Sequence, residues 1–150
     1  MGDLNYHIIW GTKYRRKMLF SPRVIKELGL SLAGECEKRG WTLYKFNVGQ
    51  ENHVHVLLID MPPTVSVSYI KQIVKGTTSY YLRHIFPMLK GMSKDALWQR
   101  GAKAYSVGQN NLNIVARYID NQQINELRKR AQAAEMEIKA TRKEKQAKLW

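Results

Sequence analysis

A chain of 150 residues has room for one domain with a real core, and 25 Lys and Arg against 12 Asp and Glu give it a formal charge of +13. That excess points to a polyanionic partner, nucleic acid before an acidic membrane surface, and says nothing about fold. No apolar run approaches the ~20 residues needed to span a bilayer, and the N-terminal residues lack a signal-peptide pattern, so a cytoplasmic location is expected. Cys36 is the single cysteine, which excludes an intramolecular disulfide and a cysteine metal cluster.

The first element is a strand, residues 4–10, with Leu4, Tyr6, Ile8 and Trp10 on one face and Asn5, His7 and Ile9 on the other. A lone histidine inside a strand, such as His7, reads as structural. Lys13, Tyr14, Arg15 and Arg16 follow at the strand's exit; cations around an aromatic ring suit phosphate clamping and base stacking, so these four are candidate nucleic-acid contacts. Ser21-Pro22 opens a helix whose apolar line is Ile25, Leu28, Leu32 and Cys36, and Gly40 ends it. Residues 41–48 read as a second strand with Thr42, Tyr44, Phe46 and Val48 on one face, and a turn over Gly49 to Asn52 makes a hairpin with the third.

The third strand carries His53-Val54-His55-Val56-Leu57-Leu58. Side chains alternate along a strand, so His53 and His55 share one face while Val54, Val56 and Leu58 share the other. After Met61-Pro62-Pro63, Thr64 is placed to cap a second helix whose line is Val67, Ile70, Val74, Thr77, Tyr81 and Ile85, stopped by Pro87. Lys71 and Lys75, four apart on this helix, are further candidates for phosphate contact. Residues 87–95 read as loop, and 96–100 with 104–107 as a fourth strand interrupted near Gly101. Asn110 or Asn111 caps a last helix running at least through Gln123. On its wheel Leu112, Val115 and Ile119 form the apolar stripe, and Tyr118 and Gln122 lie on the flank, one turn apart. Residues 1–123 therefore make the domain, and 124–150 a basic helical extension of it.

The order β-α-β-β-α-β-α predicts an α+β, ferredoxin-like or RRM-like sandwich: a four-stranded antiparallel sheet, two helices on one face, and a C-terminal helix carrying the tyrosine. His53 and His55 on the other face make a shallow site for a divalent metal, with the Gln122 amide oxygen as a third ligand if its helix crosses that face. Nitrogen mixed with oxygen suits Mn²⁺, and Mg²⁺ is the abundant alternative. A tyrosine phenol, with a pKa of about 10 in water, is a poor nucleophile unless its target is made electrophilic. A metal on a scissile phosphodiester does that, and Tyr118 then attacks to give a covalent phosphotyrosine and a free hydroxyl. The link keeps the bond's energy for a later strand transfer.

These residues, in order, carry a resemblance. Tyr6-His7-Ile8-Ile9-Trp10-Gly11-Thr12-Lys13-Tyr14-Arg15-Arg16, then His53-Val54-His55, Leu97-Trp98, Val107-Gly108 and Tyr118-Ile119-x-x-Gln122 resemble the small single-tyrosine HUH transposases of the TnpA type, of the IS200-like group, over roughly residues 4–123. The resemblance implies transposition through single-stranded DNA with subterminal hairpins, cleavage by Tyr118 through a 5′-phosphotyrosine, and association with the nucleoid when bound to DNA. It also implies metal ligation by His53, His55 and Gln122, and a homodimer in which Tyr118 serves the partner's His pair. Many relatives carry Pro-Asp where this chain has Glu51-Asn52, which bears on the turn before the His pair and not on the pair itself. Two other readings compete: a domesticated repeat-processing nuclease with the same residues, and a non-catalytic RRM-like RNA-binding module using Tyr6, Tyr14 and Tyr44 as stacking platforms.

Overall fold

The computed structural model describes residues 4–13, 21–49, 52–92, 97–121 and 140–141. Strands β1 (Tyr6–Gly11), β2 (Thr42–Val48), β3 (His53–Ile59) and β4 (Lys103–Ser106) form one antiparallel sheet in the order β2-β3-β1-β4. Helices α1 (Pro22–Arg39) and α2 (Val67–Ile85) cover one face, and α4 (Leu112–Asp120) lies on the other; a short α3 (Pro87–Met92) follows α2. This is the expected ferredoxin-like arrangement with an added tyrosine helix.

The principal core forms where Ile8, Trp10, Val54, Val56 and Leu58 meet Val24, Leu28, Leu32 and Cys36 of α1 and Ile70, Val74 and Leu82 of α2. Each helix contributes residues one turn apart, the spacing that keeps a single stripe toward the sheet. A smaller cluster on the opposite face joins Leu57 and Val107 to Ala116 and Ile119 of α4. Both faces of β3 are thus covered, which explains its nearly unbroken apolar sequence.

Several local expectations are corrected. In β2 the register shifts between Leu43 and Lys45, so Leu43, Phe46 and Val48 pair with the core-facing Leu58, Val56 and Val54, and Thr42 and Tyr44 leave the predicted line. A bulge inserts one residue and breaks strict alternation. The buried line of α2 runs through Thr78 and Leu82 instead of Thr77 and Tyr81, and its cap is Ser66, whose Oγ accepts from Tyr69 N–H at 3.1 Å, in place of Thr64. Residues 87–92, read as loop, are α3: Pro87 ends α2 but suits the first turn of a new helix. Neither Asn110 nor Asn111 caps α4 through its side chain; a 3₁₀ turn, Gln109–Asn111, leads into it. Gly40, at φ 73°, closes α1 as expected.

The fourth strand is interrupted as foreseen. Lys13 N–H donates to Leu97 O and Gln99 N–H to Gly11 O, at 3.0 and 2.9 Å, and Thr12 bridges Trp98; pairing with β1 resumes only at Lys103 opposite Ile9. Residues 99–102 therefore stand opposite only Trp10 and Gly11, and the excess chain loops outward with Gly101 at φ 76°. Lys75 holds this loop from the helical side, its Nζ donating to Gln99 O and Gly101 O, both at 2.7 Å.

Asn5 fastens the other end of the sheet. Its Nδ2 donates to Val107 O at 3.0 Å and its Oδ1 accepts from Asp60 N–H at 3.1 Å, with the residue only 1% exposed. One side chain so ties β1 to the chain leaving β3 and β4. Withdrawing it from two buried backbone groups costs about 1–3 kcal/mol. Asn5→Ala is expected to lower the unfolding free energy by that amount, read as a lower urea midpoint with an unchanged slope of the transition; an unchanged midpoint contradicts this role.

Candidate active site

The register of β1 on β3 builds the site. Gly11 stands opposite His53, Ile9 opposite His55 and His7 opposite Leu57, all on the sheet face that α4 shares. Gly11 is required by what lies above it: a Cβ there would come 2.7 Å from His53 Cδ2, 3.0 Å from His53 Nε2 and 3.1 Å from Gln99 Oε1. The missing side chain is the seat of the His53 ring and of the Gln99 amide.

His55 is buried, and its Nδ1 lies 3.1 Å from His7 Nε2, a hydrogen bond between two buried rings whose centroids are 5.3 Å apart. Burial, and then the proximity of His7 and His53, push the His55 pKa down to about 4, and burial also lowers that of His7. Both rings are therefore neutral at physiological pH, the state in which imidazole can donate a lone pair.

Helix α4 brings Tyr118 to the same place. Its ring meets the rings of His55 and His7 edge-on, with centroids 5.9 and 6.2 Å away, and it is 52% exposed, so one side of the phenol faces solvent. The helix is held by Ile119 and Ala116 on Leu57 and by polar contacts from β2. Asn47 Nδ2 donates to Ile119 O at 2.8 Å, satisfying a carbonyl of the last turn, and Lys45 Nζ pairs with Asp120 at 3.0 Å. Asn47 and Lys45 stand opposite His55 and Leu57, so the same ladder that sets the histidines sets the tyrosine.

Between these elements lies an open pocket of about 520 Å³. His53 and His55 line one side, the loop from Gln99 to Lys103 another, and Tyr105 and Tyr118 flank it. Arg100 and Lys103 add positive charge at its wall. Two imidazoles in an open polar pocket suit an exchangeable divalent ion better than a closed structural centre. Among the described residues no group of three His, Cys, Asp or Glu converges, so further ligands would be amide or water oxygens. The His53 ring seated over Gly11 and the His55 ring, whose Nδ1 is engaged by His7 and whose other ring nitrogen is left for a ligand, both line the pocket and fit such an ion.

The structure brings together His53, His55 and Tyr118. Gln122, Tyr14, Arg15 and Arg16 lie outside the described residues. Lys75, expected at a phosphate, donates from its ammonium to the Gln99 and Gly101 carbonyls, on the helical side of the sheet. Lys71, one turn earlier on α2, lies on that same layer and not among the residues lining the pocket. Sequence reasoning missed His7, Gly11, Gln99, Arg100, Lys103 and Tyr105. Alternation alone places Asn5, His7 and Ile9 on one face; that this is the face of the His pair needs the β1–β3 register.

The depressed pKa has a measurable sign. Above pH 6.5 the folded and unfolded chains both hold His55 neutral; as pH falls toward about 4 the unfolded chain takes up a proton that the folded chain refuses. In chelator, stability is expected to fall by roughly 3 kcal/mol over this window from His55 alone. His55→Gln should lose that part of the slope in urea unfolding across pH, and a parallel pH dependence in the two proteins contradicts it.

Residues 1–122 match the family described as transposase, IS200-like. The chain is 31% identical over 113 residues to the transposase for insertion sequence element IS200 of Salmonella typhimurium, covering 75% of this chain and 72% of that relative. A crystal structure from Deinococcus radiodurans, of a chain assigned as a transposase, superposes with a TM-score of 0.62 at 28% identity, over 81% of this chain and 92% of that one. A REP-associated tyrosine transposase bound to a REP hairpin shares the fold, with a TM-score of 0.59 at 11% identity over 84% of this chain and 70% of that one. With the His pair and the tyrosine on one pocket and the match running from the first strand to the tyrosine helix, the chain belongs to the IS200-like transposase family.

Proposed function

We propose that Tyr118 is the nucleophile of this transposase and that His53 and His55, with Gln122, hold the divalent ion that assists it. The chain is a transposase that cleaves and rejoins single-stranded DNA at insertion-sequence ends. One observation supports the assignment of roles above the rest: the Tyr118 ring meets the His55 ring edge-on, centroids 5.9 Å apart, and both line one open pocket.

The chemistry is a transesterification. Tyr118 Oη attacks the scissile phosphorus in line, the Oη–P bond forms as the P–O3′ bond breaks, and the phenol gives up its proton while the departing O3′ gains one. The product is a 5′-phosphotyrosine and a free 3′ hydroxyl. Rejoining reverses the step with a different 3′ hydroxyl, so the number of phosphodiester-type bonds is unchanged and no external energy source is needed. His53 and His55 would hold a divalent ion, Mg²⁺ or Mn²⁺, which when bound would supply Lewis-acid activation of the scissile phosphate. The half-exposed phenol is open to a DNA strand entering the pocket that Tyr118, His53 and His55 line together. Arg100 and Lys103, at the wall, are better placed than Lys75 to meet neighbouring phosphates.

Hairpin DNA from the element's own ends is the proposed substrate, and a homodimer the proposed assembly. In the single chain Tyr118 stands beside its own His55, an arrangement compatible with cleavage in cis. Service of the partner's His pair requires α4 to leave the Asn47 and Lys45 contacts that fasten it here.

End-labelled single-stranded hairpin DNA, incubated with the chain and Mg²⁺ or Mn²⁺, is expected to give a covalent protein–DNA band on a denaturing gel. Tyr118→Phe and His55→Ala should each reduce its rate of formation by at least about 1000-fold. An adduct that persists in Tyr118→Phe, or forms equally in chelator, contradicts the proposal.

A further inference from the structure

We infer that His7 is a positioning residue for the metal site: it accepts a hydrogen bond from His55 Nδ1 and thereby keeps the His55 Nε2 lone pair directed at the pocket. The inference rests on the reading of His53 and His55 as metal ligands.

His7 is buried beneath the site and does not line the pocket, whereas His55 does. The two rings meet through His7 Nε2 and His55 Nδ1 at 3.1 Å. Because that contact occupies Nδ1, the ring nitrogen of His55 left for the pocket is Nε2. A neutral imidazole carries one proton, and a lone pair at Nε2 requires it at Nδ1. His55 then donates and His7 Nε2 accepts, which puts the proton of His7 on its own Nδ1. The opposite assignment, with His7 donating, leaves His55 protonated at Nε2 and unable to ligate. The direction of one buried hydrogen bond decides whether the site can take an ion.

The ring of His7 also packs against two tyrosine rings. Tyr105 packs at 6.3 Å and Tyr118 at 6.2 Å between centroids, and its backbone is fixed opposite Leu57 and Tyr105 in the central strand. An outer hydrogen-bond partner of this kind sets the tautomer and orientation of a ligating histidine, and its loss commonly weakens metal affinity by about 10- to 100-fold.

The test compares the full-length wild-type chain with His7→Phe, which keeps a ring but has no acceptor, and His7→Gln, whose amide oxygen can accept. Mn²⁺ binding is read by electron paramagnetic resonance titration, and the His55 tautomer by ¹⁵N-resolved nuclear magnetic resonance in saturating Mg²⁺. Expected are a proton on His55 Nδ1 in the wild type, Mn²⁺ affinity about 10- to 100-fold weaker in His7→Phe, and recovery to within a few-fold in His7→Gln. Equal Mn²⁺ binding by the wild type and His7→Phe overturns the role of His7 while leaving the metal site standing. Absence of Mn²⁺ binding to the wild type overturns the metal reading and this inference together. Should His7→Phe fail to fold, a wild-type His55 protonated at Nε2 in saturating Mg²⁺ overturns the inference by itself.

Discussion

The pairing of β1 with β3 is the constraint on which the rest depends. It sets Gly11 against His53, Ile9 against His55 and His7 against Leu57. Side chains alternate with a period of two, so a slip of one residue would move the histidines into the helical core and bring Val54, Val56 and Leu58 to the surface. The core prevents the slip. Val54, Val56 and Leu58 are fully buried against α1 and α2, and an apolar face of that size cannot be exchanged for imidazoles at acceptable cost. The apolar half of the strand thus fixes the placement of its polar half.

The two faces of the sheet divide the work. One carries a thick apolar core that stabilises the domain, and the other carries a thin cluster around Leu57, Ile119 and Ala116 that does little more than seat α4. A helix held by a small apolar patch, one amide and one ion pair is fastened locally and has less to lose on moving than α1 or α2. The tyrosine is therefore carried on a helix with fewer ties to the sheet than α1 or α2. The loop at residues 99–102 belongs to the same economy of parts: Lys75 reaches it from the helical layer and so shapes the pocket wall.

Much of this was legible in the chain. The alternation in His53 to Leu58, the Ser21-Pro22 start and Gly40 stop of α1, and the break near Gly101 rest on short-range rules that hold whatever packs around them. The errors lie where tertiary context decides. The bulge at Tyr44 shifts a face that alternation alone assigns wrongly, and α2 rotates enough to bury Thr78 and Leu82 because Thr78 Oγ1 accepts from Trp98 Nε1 at 3.0 Å, a contact twenty residues distant in sequence. His53, His55 and Tyr118 could be named because their residue types are unusual for their elements. His7 could not, since a single histidine in a strand acquires meaning only when the register sets it beneath another. Gly11 was visible as part of a motif, but its reason is steric and three-dimensional.

The most direct test of the account is the identity of the residue that carries the DNA. After cleavage of a single-stranded hairpin substrate in Mg²⁺, nuclease trimming and trypsin digestion, mass spectrometry is expected to find the nucleotide remnant on the peptide beginning at Tyr118, attached through the phenol to a 5′ phosphate. A remnant on any other residue, or a linkage to a 3′ phosphate, contradicts the central claim that this tyrosine, set beside the His pair by one strand register, performs the transfer.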